Sequence, residues 1–323
     1  MDKTPVSILT NVKSMYPTFS IIIPHYDIPD LLMRCLKSIP VSEDIQVIVV
    51  DDNSPDADTY LEKYPELSRS YLEFIRAQKN GGAGYARNIG LDHAKGKWLL
   101  FADADDFFVD DMYDIICSYV DSEADVIYFK KKSVLSEDIS IEHDRDPYVN
   151  NRIDQYLIDE DEWPIRARMD HVWGKMIKKS LIEEHNIRFD EVLYANDVYF
   201  SIQIGYYAGI IQVVNSVLYV LTFRHNSLAA NFCSKPGELE QRAEMLFRVD
   251  KFMLQKDFCR ERRMKSYLWR MLKQDRKLFK YYYFKLDEIY PSKLTALNDL
   301  RKGHSVRYQV MLYLYAFWLW LVR

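Results

Sequence analysis

The chain has 323 residues, of which 48% are hydrophobic, and its formal net charge is −5. Only 10 glycines beside 24 tyrosines and 16 phenylalanines exclude a disordered or fibrous protein and allow a large buried core. No C-x-x-C pair occurs among the four scattered cysteines, which argues against a disulfide framework or a zinc ribbon. The first 19 residues lack the apolar stretch of a signal peptide, so we expect a protein of the reducing cytoplasm.

The charge is distributed unevenly along the chain. Residues 251–323 contain 17 Lys and Arg against 6 Asp and Glu, whereas the preceding residues contain 26 and 42. Two interpretations are open: solvated surfaces of opposite sign, or a basic module that meets phosphates or anionic lipid.

The first third of the chain alternates strand and helix patterns. Helices are predicted at about 31–39 and 84–94, and strands at Phe19–Pro24, Ile45–Asp52, Tyr71–Ala77, Lys97–Asp106 and Ala124–Lys130. Strands that are apolar almost throughout and alternate with helices predict an α/β fold, with a mostly parallel sheet covered by helices on both faces. Ligands of such sheets bind beyond the carboxyl ends of the strands, and two of these ends are acidic here.

The remaining two thirds of the chain divide into three stretches. Residues 133–168 are polar and predict irregular structure, whereas residues 172–224 regain helix and strand patterns. From Gly237 onward the pattern is helical and basic. We therefore predict two domains, residues 1–232 and residues 233–323.

The acidic run Asp103-Ala104-Asp105, followed by Asp106, stands at the end of the fourth predicted strand. Carboxylates are hard oxygen ligands suited to Mg²⁺ or Mn²⁺. A bare D-x-D is nevertheless a weak signal, and the same acids could instead form the N-terminus of a helix.

Two further motifs follow predicted strands. The acids of Asp51-Asp52-Asn53-Ser54 could accept hydrogen bonds from a base or ribose, or could close the strand in an Asx turn. The glycine-rich turn of NGGAGYARNIG (residues 80–90) could offer backbone N–H groups to phosphate. Arg87 within it is either a fixed charge near a nucleotide or a plain surface residue.

Together these motifs give the sequence a recognisable pattern. SIIIPHYD, VIVVDDNSPD, NGGAGYARNIGLDHAKGKWLLFADADD and WGKMIKKSLIEEHNIRFDE…ANDVYF follow one another between about Phe19 and Asn226. In these segments the chain resembles family 2 of the inverting glycosyltransferases with the GT-A fold, of the bacterial polysaccharide type.

The resemblance implies a site and a reaction. It implies a nucleotide-sugar donor, an Mn²⁺ or Mg²⁺ ion and a single displacement at the sugar C1, with inversion. The family's acidic pair reads Asn196-Asp197 here, so only the second acid is present, and Asp27 stands where the family often has Asn. By position, the resemblance assigns catalysis to Asp197, donor binding to Pro24, Tyr26, Asp52, Arg87, Asp103 and Ala104, and the metal to Asp103, Asp105 and His225.

Two other function classes remain open at this point. The Asn196 departure is compatible with an inactive nucleotide-sugar-binding or scaffolding subunit of a glycan assembly complex. A nucleotidyltransferase is disfavoured, because the first strand leads into Pro-His-Tyr and not into a glycine-rich phosphate loop.

The C-terminal region carries two signals. Residues 260–285 interleave Lys and Arg with aromatic residues, as in a helix on an anionic membrane surface, and no nucleic-acid motif accompanies them. Residues 308–322 are uncharged but shorter than the roughly 20 residues of a spanning helix. They fit a membrane interface, the protein core or a homo-oligomer contact. We expect a cytoplasmic enzyme, peripheral on the inner face of the membrane, that acts on a glycan or lipid-linked acceptor.

Overall fold

The structure is a computed structural model that describes residues 17–68, 71–224, 235, 237–301 and 312–315. Its strands are β1 Phe19–His25, β2 Ile45–Asp51, β3 Leu72–Arg76, β4 Trp98–Phe101, β5 Phe107–Phe108, β6 Val126–Leu135, β7 Lys175–Lys178 and β8 Ile211–Phe223. Its helices are α1 Pro29–Lys37, α2 Ala57–Lys63, α3 Gly82–His93, α4 Met112–Cys117, α5 Tyr148–Asp159, α6 Glu162–Arg168, α7 Lys179–Glu184, α8 Val198–Tyr207, α9 Glu238–Gln255, α10 Met264–Gln274, α11 Arg276–Lys285 and α12 Lys293–Arg301.

The strands form one sheet in the order β3-β2-β1-β4-β7-β6-β8-β5. β3, β2, β1 and β4 run parallel, so their carboxyl ends meet at one edge. β7 is antiparallel to both β4 and β6, and β5 is antiparallel to β8. The predicted α/β class is confirmed, with a sheet that is parallel in its first half and mixed in its second.

β1 and β2 are buried along their whole length, which explains their unbroken apolar sequences. α1 begins at Pro29, whose fixed φ suits the first turn of a helix. The five predicted strands all exist, and β6 continues five residues beyond its predicted end at Lys130.

The prediction of irregular structure at residues 133–168 is wrong. β6 ends at Leu135, and α5 and α6 occupy much of the remainder. α5 buries Val149 and Ile153, four residues apart on one helical face, while its other positions are mostly polar. So narrow an apolar stripe gives a weak periodic signal in the sequence.

Buried side chains form two clusters. The larger lies on both faces of the sheet, and the second is built from α9–α12 together with Ala167 of α6 and Ile202 of α8. Leu268, Trp269 and Phe279 of the basic, aromatic segment belong to this second cluster. Much of the aromatic interleaving in residues 260–285 is therefore core packing.

The predicted domain boundary after residue 232 lies outside the described residues, so the division stays a prediction. Of the uncharged run 308–322, only residues 312–315 are described, and they are helical. Among the described residues, no helix combines the length and the apolar character that a membrane crossing requires.

Candidate active site

The carboxyl end of β1 is fixed by a buried hydrogen-bond relay. Ile28 donates its N–H to Nε2 of His25 (3.2 Å), so the ring proton lies on Nδ1, which faces Oδ1 of Asp51 at 2.8 Å. This relay holds the segment between buried Pro24 and Ile28, on which Tyr26 stands 47% exposed. Tyr26 is thus free to cover a planar ligand at this edge.

Asp51 closes the end of β2 through its side chain, as the Asx-turn interpretation expected, although the N–H that it binds lies three residues on and not two. Ser54 donates its backbone N–H to Oδ2 (2.8 Å) and its hydroxyl to Oδ1 (2.6 Å) of Asp51. Although burial alone would raise the pKa of Asp51, the hydrogen bonds from His25 and Ser54 lower it overall.

Asp52 joins β2 to the glycine-rich turn. Its carboxylate accepts the backbone N–H groups of Gly81 (2.8 Å) and Gly82 (2.7 Å). The prediction that this turn offers its amides to phosphate is therefore wrong for these two residues, because an internal carboxylate already occupies them. Burial raises the pKa of Asp52, and the two amides offset part of that effect.

The turn after β4 carries the D-x-D residues. Asp106 donates its backbone N–H to the carbonyl of Asp103 (3.0 Å), and the chain then enters β5. No helix begins here, since α4 starts at Met112, so the helix-terminus interpretation is wrong. Ala104 is buried within the turn, where it packs inward and leaves the two flanking acids at the surface of the sheet edge.

Asp106 is the buried anchor of this turn. It accepts hydrogen bonds from the Tyr219 hydroxyl (3.2 Å) and from the Thr222 N–H (2.7 Å), both on β8. Burial, together with the charges of Asp105 and Asp103, raises its pKa well above the usual value for Asp. The raised pKa favours the neutral, protonated form of Asp106 beside its two acidic neighbours.

Arg87 of α3 connects two parts of the site. Its guanidinium donates to Oδ1 of Asp103 (2.6 Å) and to Oδ1 of Asn196 (2.8 Å), and its Cζ lies 5.4 Å from the centre of the Phe189 ring. The residue is only 4% exposed, so the interpretation as a plain surface residue is wrong.

Asp197 lies directly after the residue that Arg87 binds. It occupies the position before α8, yet its side chain makes no capping hydrogen bond there. Ala195 has a φ of +55°, and this left-handed residue turns the chain into the Asn196-Asp197 pair. Burial raises the pKa of Asp197 to about 6, the charge of Arg87 lowers it and the charge of Asp103 raises it.

Asp103 and Asp105 suit a divalent cation in their chemistry. In the part of the chain that the structure describes, arginines contact one oxygen of each: Arg87 binds Oδ1 of Asp103, and Arg224 binds Oδ2 of Asp105 at 2.6 Å. Their other oxygens are hard ligands of the kind Mg²⁺ takes from one or two carboxylates beside substrate phosphates. Within the described residues no group of three His, Cys, Asp or Glu could enclose a metal. The predicted ligand His225 lies outside them.

Sequence reasoning missed several residues of this site. The family resemblance implied an acid at position 196, and Asn196 was noted only because it departs from that pattern. In the structure its Oδ1 accepts a hydrogen bond from the Arg87 guanidinium. His25, Tyr219 and Arg224 were not predicted at all. Their partners are 26, 113 and 119 residues away in the chain, and no local pattern marks such pairs.

Known proteins are similar to this chain in sequence and in fold. EpsH of Bacillus subtilis (strain 168) is 25% identical over 228 residues, which are 68% of this chain and 64% of EpsH. The poly(ribitol-phosphate) β-N-acetylglucosaminyltransferase TarS of Staphylococcus aureus is 31% identical over 123 residues, 36% of this chain and 21% of TarS. The matched segments thus span less than two thirds of these relatives.

Solved structures agree on the fold. The crystal structure of TarS residues 1–349 with UDP-GlcNAc superposes with a TM-score of 0.60 at 22% identity, covering 90% of this chain and 82% of that one. A mannosyltransferase of Pyrobaculum calidifontis with GDP-Man and Mn²⁺ gives 0.52 at 17% identity, covering 93% and 80%. These neighbours establish the GT-A fold. The sequence profile of Glycosyl transferase family 2 matches residues 20–185, just over half of the chain. The chain is therefore a member of glycosyl transferase family 2.

Proposed function

We propose that this protein is an inverting glycosyltransferase that moves a sugar from a UDP-sugar to an acceptor hydroxyl in the synthesis of a cell-surface polysaccharide or glycolipid. The observation that carries the proposal is the double contact of Arg87. It binds Asp103 at the end of β4 and Asn196 beside Asp197, and so it fixes a donor-side acid and a candidate base relative to each other.

The donor occupies the carboxyl edge of β1, β2 and β4. Tyr26 covers the base, and Asp52 holds the glycine-rich turn against the nucleoside. Ligands of parallel sheets bind at this edge. That TarS, with the same fold, was crystallised with UDP-GlcNAc supports a uridine donor and an N-acetylhexosaminyl or hexosyl group.

Asp197 accepts the proton of the acceptor hydroxyl as its oxygen attacks the sugar C1. A base is most effective when its pKa lies near the working pH, and burial brings the pKa of Asp197 to about 6. The attack and the departure of the diphosphate occur in one displacement, so the configuration at C1 inverts.

Asp103 and Asp105 would hold Mn²⁺ or Mg²⁺, and the ion would supply positive charge that neutralises the leaving diphosphate. The mannosyltransferase structure with Mn²⁺ supports a divalent cation in this fold. The predicted contribution of His225 stays a prediction.

The alternative is an inactive nucleotide-sugar-binding or scaffolding subunit, which the Asn196 departure suggested. Asn196 Oδ1 accepts the Arg87 hydrogen bond at 2.8 Å, so an amide at this position keeps the arginine in place. The next residue still offers a carboxylate. Both observations favour an enzyme.

One experiment separates the two functions. A panel of UDP-sugars with Mn²⁺ is screened for donor hydrolysis, and the variants Asp103→Asn and Asp138→Asn are compared with the wild type. Asp138 is an acid of the exposed turn after β6, so its variant is the control. We expect hydrolysis by the wild type and by Asp138→Asn, and loss in Asp103→Asn and in EDTA. Donor binding without hydrolysis by any of the three proteins would establish the scaffolding function.

The site of action belongs to the same proposal. A peripheral enzyme on the cytoplasmic face of the membrane would meet a lipid-linked acceptor. Exposed basic residues on α10 and α11 support this attachment: Lys273, Arg276 and Lys280.

A further inference from the structure

A cavity of about 920 Å³ lies beside the candidate site but apart from the donor residues. One wall is the segment Asp190–Val192, and the other is formed by α9 and α11. None of Tyr26, Asp52, Arg87 or Asp103 lines it. Its volume is in the range of ligand-binding cavities.

The segment that forms one wall of the cavity leads along the chain to the candidate base, Asp197. Asp190 donates its backbone N–H to the carbonyl of Asn196 at 3.2 Å, and Asp197 follows directly. On the opposite side, Arg248 of α9 forms an ion pair with Asp190, and its Cζ lies 4.1 Å from the centre of the Tyr199 ring on α8. The residues between Asp190 and Asp197 therefore connect the cavity wall to the candidate base.

The aromatic ring of Tyr281 is exposed to solvent in this cavity. Tyr281 of α11 is 51% exposed, and Nζ of Lys285 lies 4.3 Å from its ring centre, which fixes the ring by a cation–π contact. Its neighbour Tyr282 donates its hydroxyl to Glu244 at 2.6 Å. The apolar C–H face of a pyranose packs well on such a ring, and carboxylates accept hydrogen bonds from its hydroxyls.

The charge of the cavity is negative. Seven charged residues line it: Asp190, Glu191, Glu240, Glu244, Asp275, Arg248 and Lys277. Arg248 is already paired with Asp190. A chain of phosphates or carboxylates would be repelled by the remaining acids, and such repulsion contributes to the choice between an anionic and a neutral ligand.

We propose that this cavity binds the acceptor, and that the acceptor is a saccharide without phosphate or carboxylate groups at the bound units. This inference rests on the proposed glycosyltransferase function. The proposed acceptor differs from that of TarS, which is named for a poly(ribitol-phosphate) acceptor.

The test measures saccharide binding by the full chain in the presence of UDP and Mn²⁺. The probes are maltohexaose, cellohexaose and chitohexaose as neutral chains, and hexagalacturonate as the anionic chain. Binding is followed by saturation-transfer NMR and calorimetry. Tyr281→Ala is compared with Tyr148→Ala, because Tyr148 is 49% exposed on α5, away from the cavity.

We expect at least one neutral chain to bind and hexagalacturonate not to bind. Tyr281→Ala should weaken neutral binding roughly five- to tenfold, as for the loss of one aromatic contact, and Tyr148→Ala should not. Glu240→Lys should improve hexagalacturonate binding relative to Glu184→Lys, because Glu184 is an exposed residue of α7 that does not line the cavity.

Three results would overturn the inference. One is hexagalacturonate binding that equals or exceeds neutral binding in the wild type. Another is an equal response of Tyr281→Ala and Tyr148→Ala, and the third is no neutral binding at all. UDP affinity, measured on the same samples, keeps the two proposals apart. Its absence contradicts the proposed function, whereas intact UDP affinity with any of these results contradicts the cavity alone.

Discussion

Asp197 differs from an ordinary helix cap in its hydrogen bonds. Asp161, before α6, accepts the backbone N–H of Trp163 at 3.1 Å, as a capping residue does. Asp197 occupies the same position before α8 and makes no such bond. Its carboxylate faces the charges of Arg87 and Asp103 instead, which shift its pKa in opposite directions after burial has raised it. The two aspartates therefore form a matched pair for testing.

At this scale we predict that Asp197→Asn lowers sugar transfer by roughly a hundredfold or more, with unchanged UDP affinity. Asparagine keeps the shape of the side chain but cannot take a proton. Asp161→Asn, the control, should retain transfer, since asparagine also caps helices well. Initial rates and UDP calorimetry provide the measurement, and near-normal transfer by Asp197→Asn would exclude Asp197 as the base.

The raised pKa of Asp197 gives a second prediction at the residue scale. Transfer should rise with pH along a titration centred near the Asp197 pKa of about 6, because only the ionised carboxylate accepts a proton. Because folding raises the pKa of Asp197, the folded state holds this proton more tightly than the unfolded state does. The resulting stabilisation is complete at a pH below the pKa of the unfolded chain, and it is lost as the pH rises through 6. The melting temperature of Asp197→Asn relative to the wild type should thus be higher at pH 8 than at pH 4.5. Buried Asp250, with a pKa also raised to about 6, is present in both proteins and cancels.

The sequence predicted the site residues that local motifs mark, and it missed the contacts between residues that are far apart along the chain. Asp103 and Asp105 were predicted because a buried strand directly precedes them. Asp52 and Arg87 were predicted from motifs through the family resemblance. The contact of Arg87 with Asn196 spans 109 residues, so it exists only through the fold. Sequence patterns report neighbours along the chain, and this pair is adjacent only in space.

At the level of elements, α3 packs unusually closely on the segment that leads to Asp197. A Cβ at Gly84 would stand 1.9 Å from the carbonyl oxygen of Asp190 and 3.0 Å from Cβ of Asn196. A Cβ at Gly205 would be equally close to the carbonyl oxygen of Arg166, also at 1.9 Å, but Gly205 lies near the C-terminal end of α8, whereas Asp197 precedes its N-terminus. Each glycine thus allows a helix to approach a backbone carbonyl equally closely, but only Gly84 contacts the segment that carries Asn196 and Asp197.

We predict that Gly84→Ala and Gly205→Ala both destabilise the protein, by about 1–3 kcal/mol for overpacking. Only Gly84→Ala should also lower transfer in the fraction that remains folded, since the displaced Asp190 segment carries Asn196 and Asp197. Thermal unfolding and rates per folded molecule, taken well below both melting temperatures, test this. Equal specific activities of the two variants would contradict the role of α3 in positioning the base.

The sheet was predicted better than the helices that cover its second half. β1, β2 and β4 are buried on both faces and have continuous apolar sequences, so their patterns were plain. α5 and α6 bury only a few residues each and were missed. Nor does the antiparallel β7 between β4 and β6 follow from strand patterns, because these do not encode direction.

At the scale of the whole molecule, the basic C-terminal residues fall into two groups. Arg262 donates to the carbonyl of Ile289, Arg263 pairs with Asp170, and Lys265 lies 3.6 Å from Asp299. These cations serve internal packing. Lys273, Arg276 and Lys280 are exposed on α10 and α11 and are the ones positioned to meet a surface.

We predict that the protein binds anionic vesicles and that binding decreases as salt rises, since salt screens charge attraction. Replacing the exposed set Lys273, Arg276 and Lys280 by Gln should weaken vesicle binding with only a small change in melting temperature, because these side chains are exposed. The same change at Arg262, Arg263 and Lys265 should chiefly lower the melting temperature. Sedimentation with neutral and anionic vesicles measures this, and equal binding to both would contradict membrane attachment by charge.

The pairing of β5 with β8 has a consequence for how the protein acquires its activity. Asp106, at the end of the acidic turn, is bound by Tyr219, 113 residues later in the chain, and the flanking residue Asp105 is paired with Arg224. Such distant contacts form slowly, since closing a long loop must precede them. During synthesis, β1–β4 emerge early, while the acidic turn waits for β8 to arrive. We therefore expect the donor site to be the last part of the α/β region to mature, and a ribosome-bound chain that ends before residue 219 to carry the strands of the sheet without a formed catalytic turn.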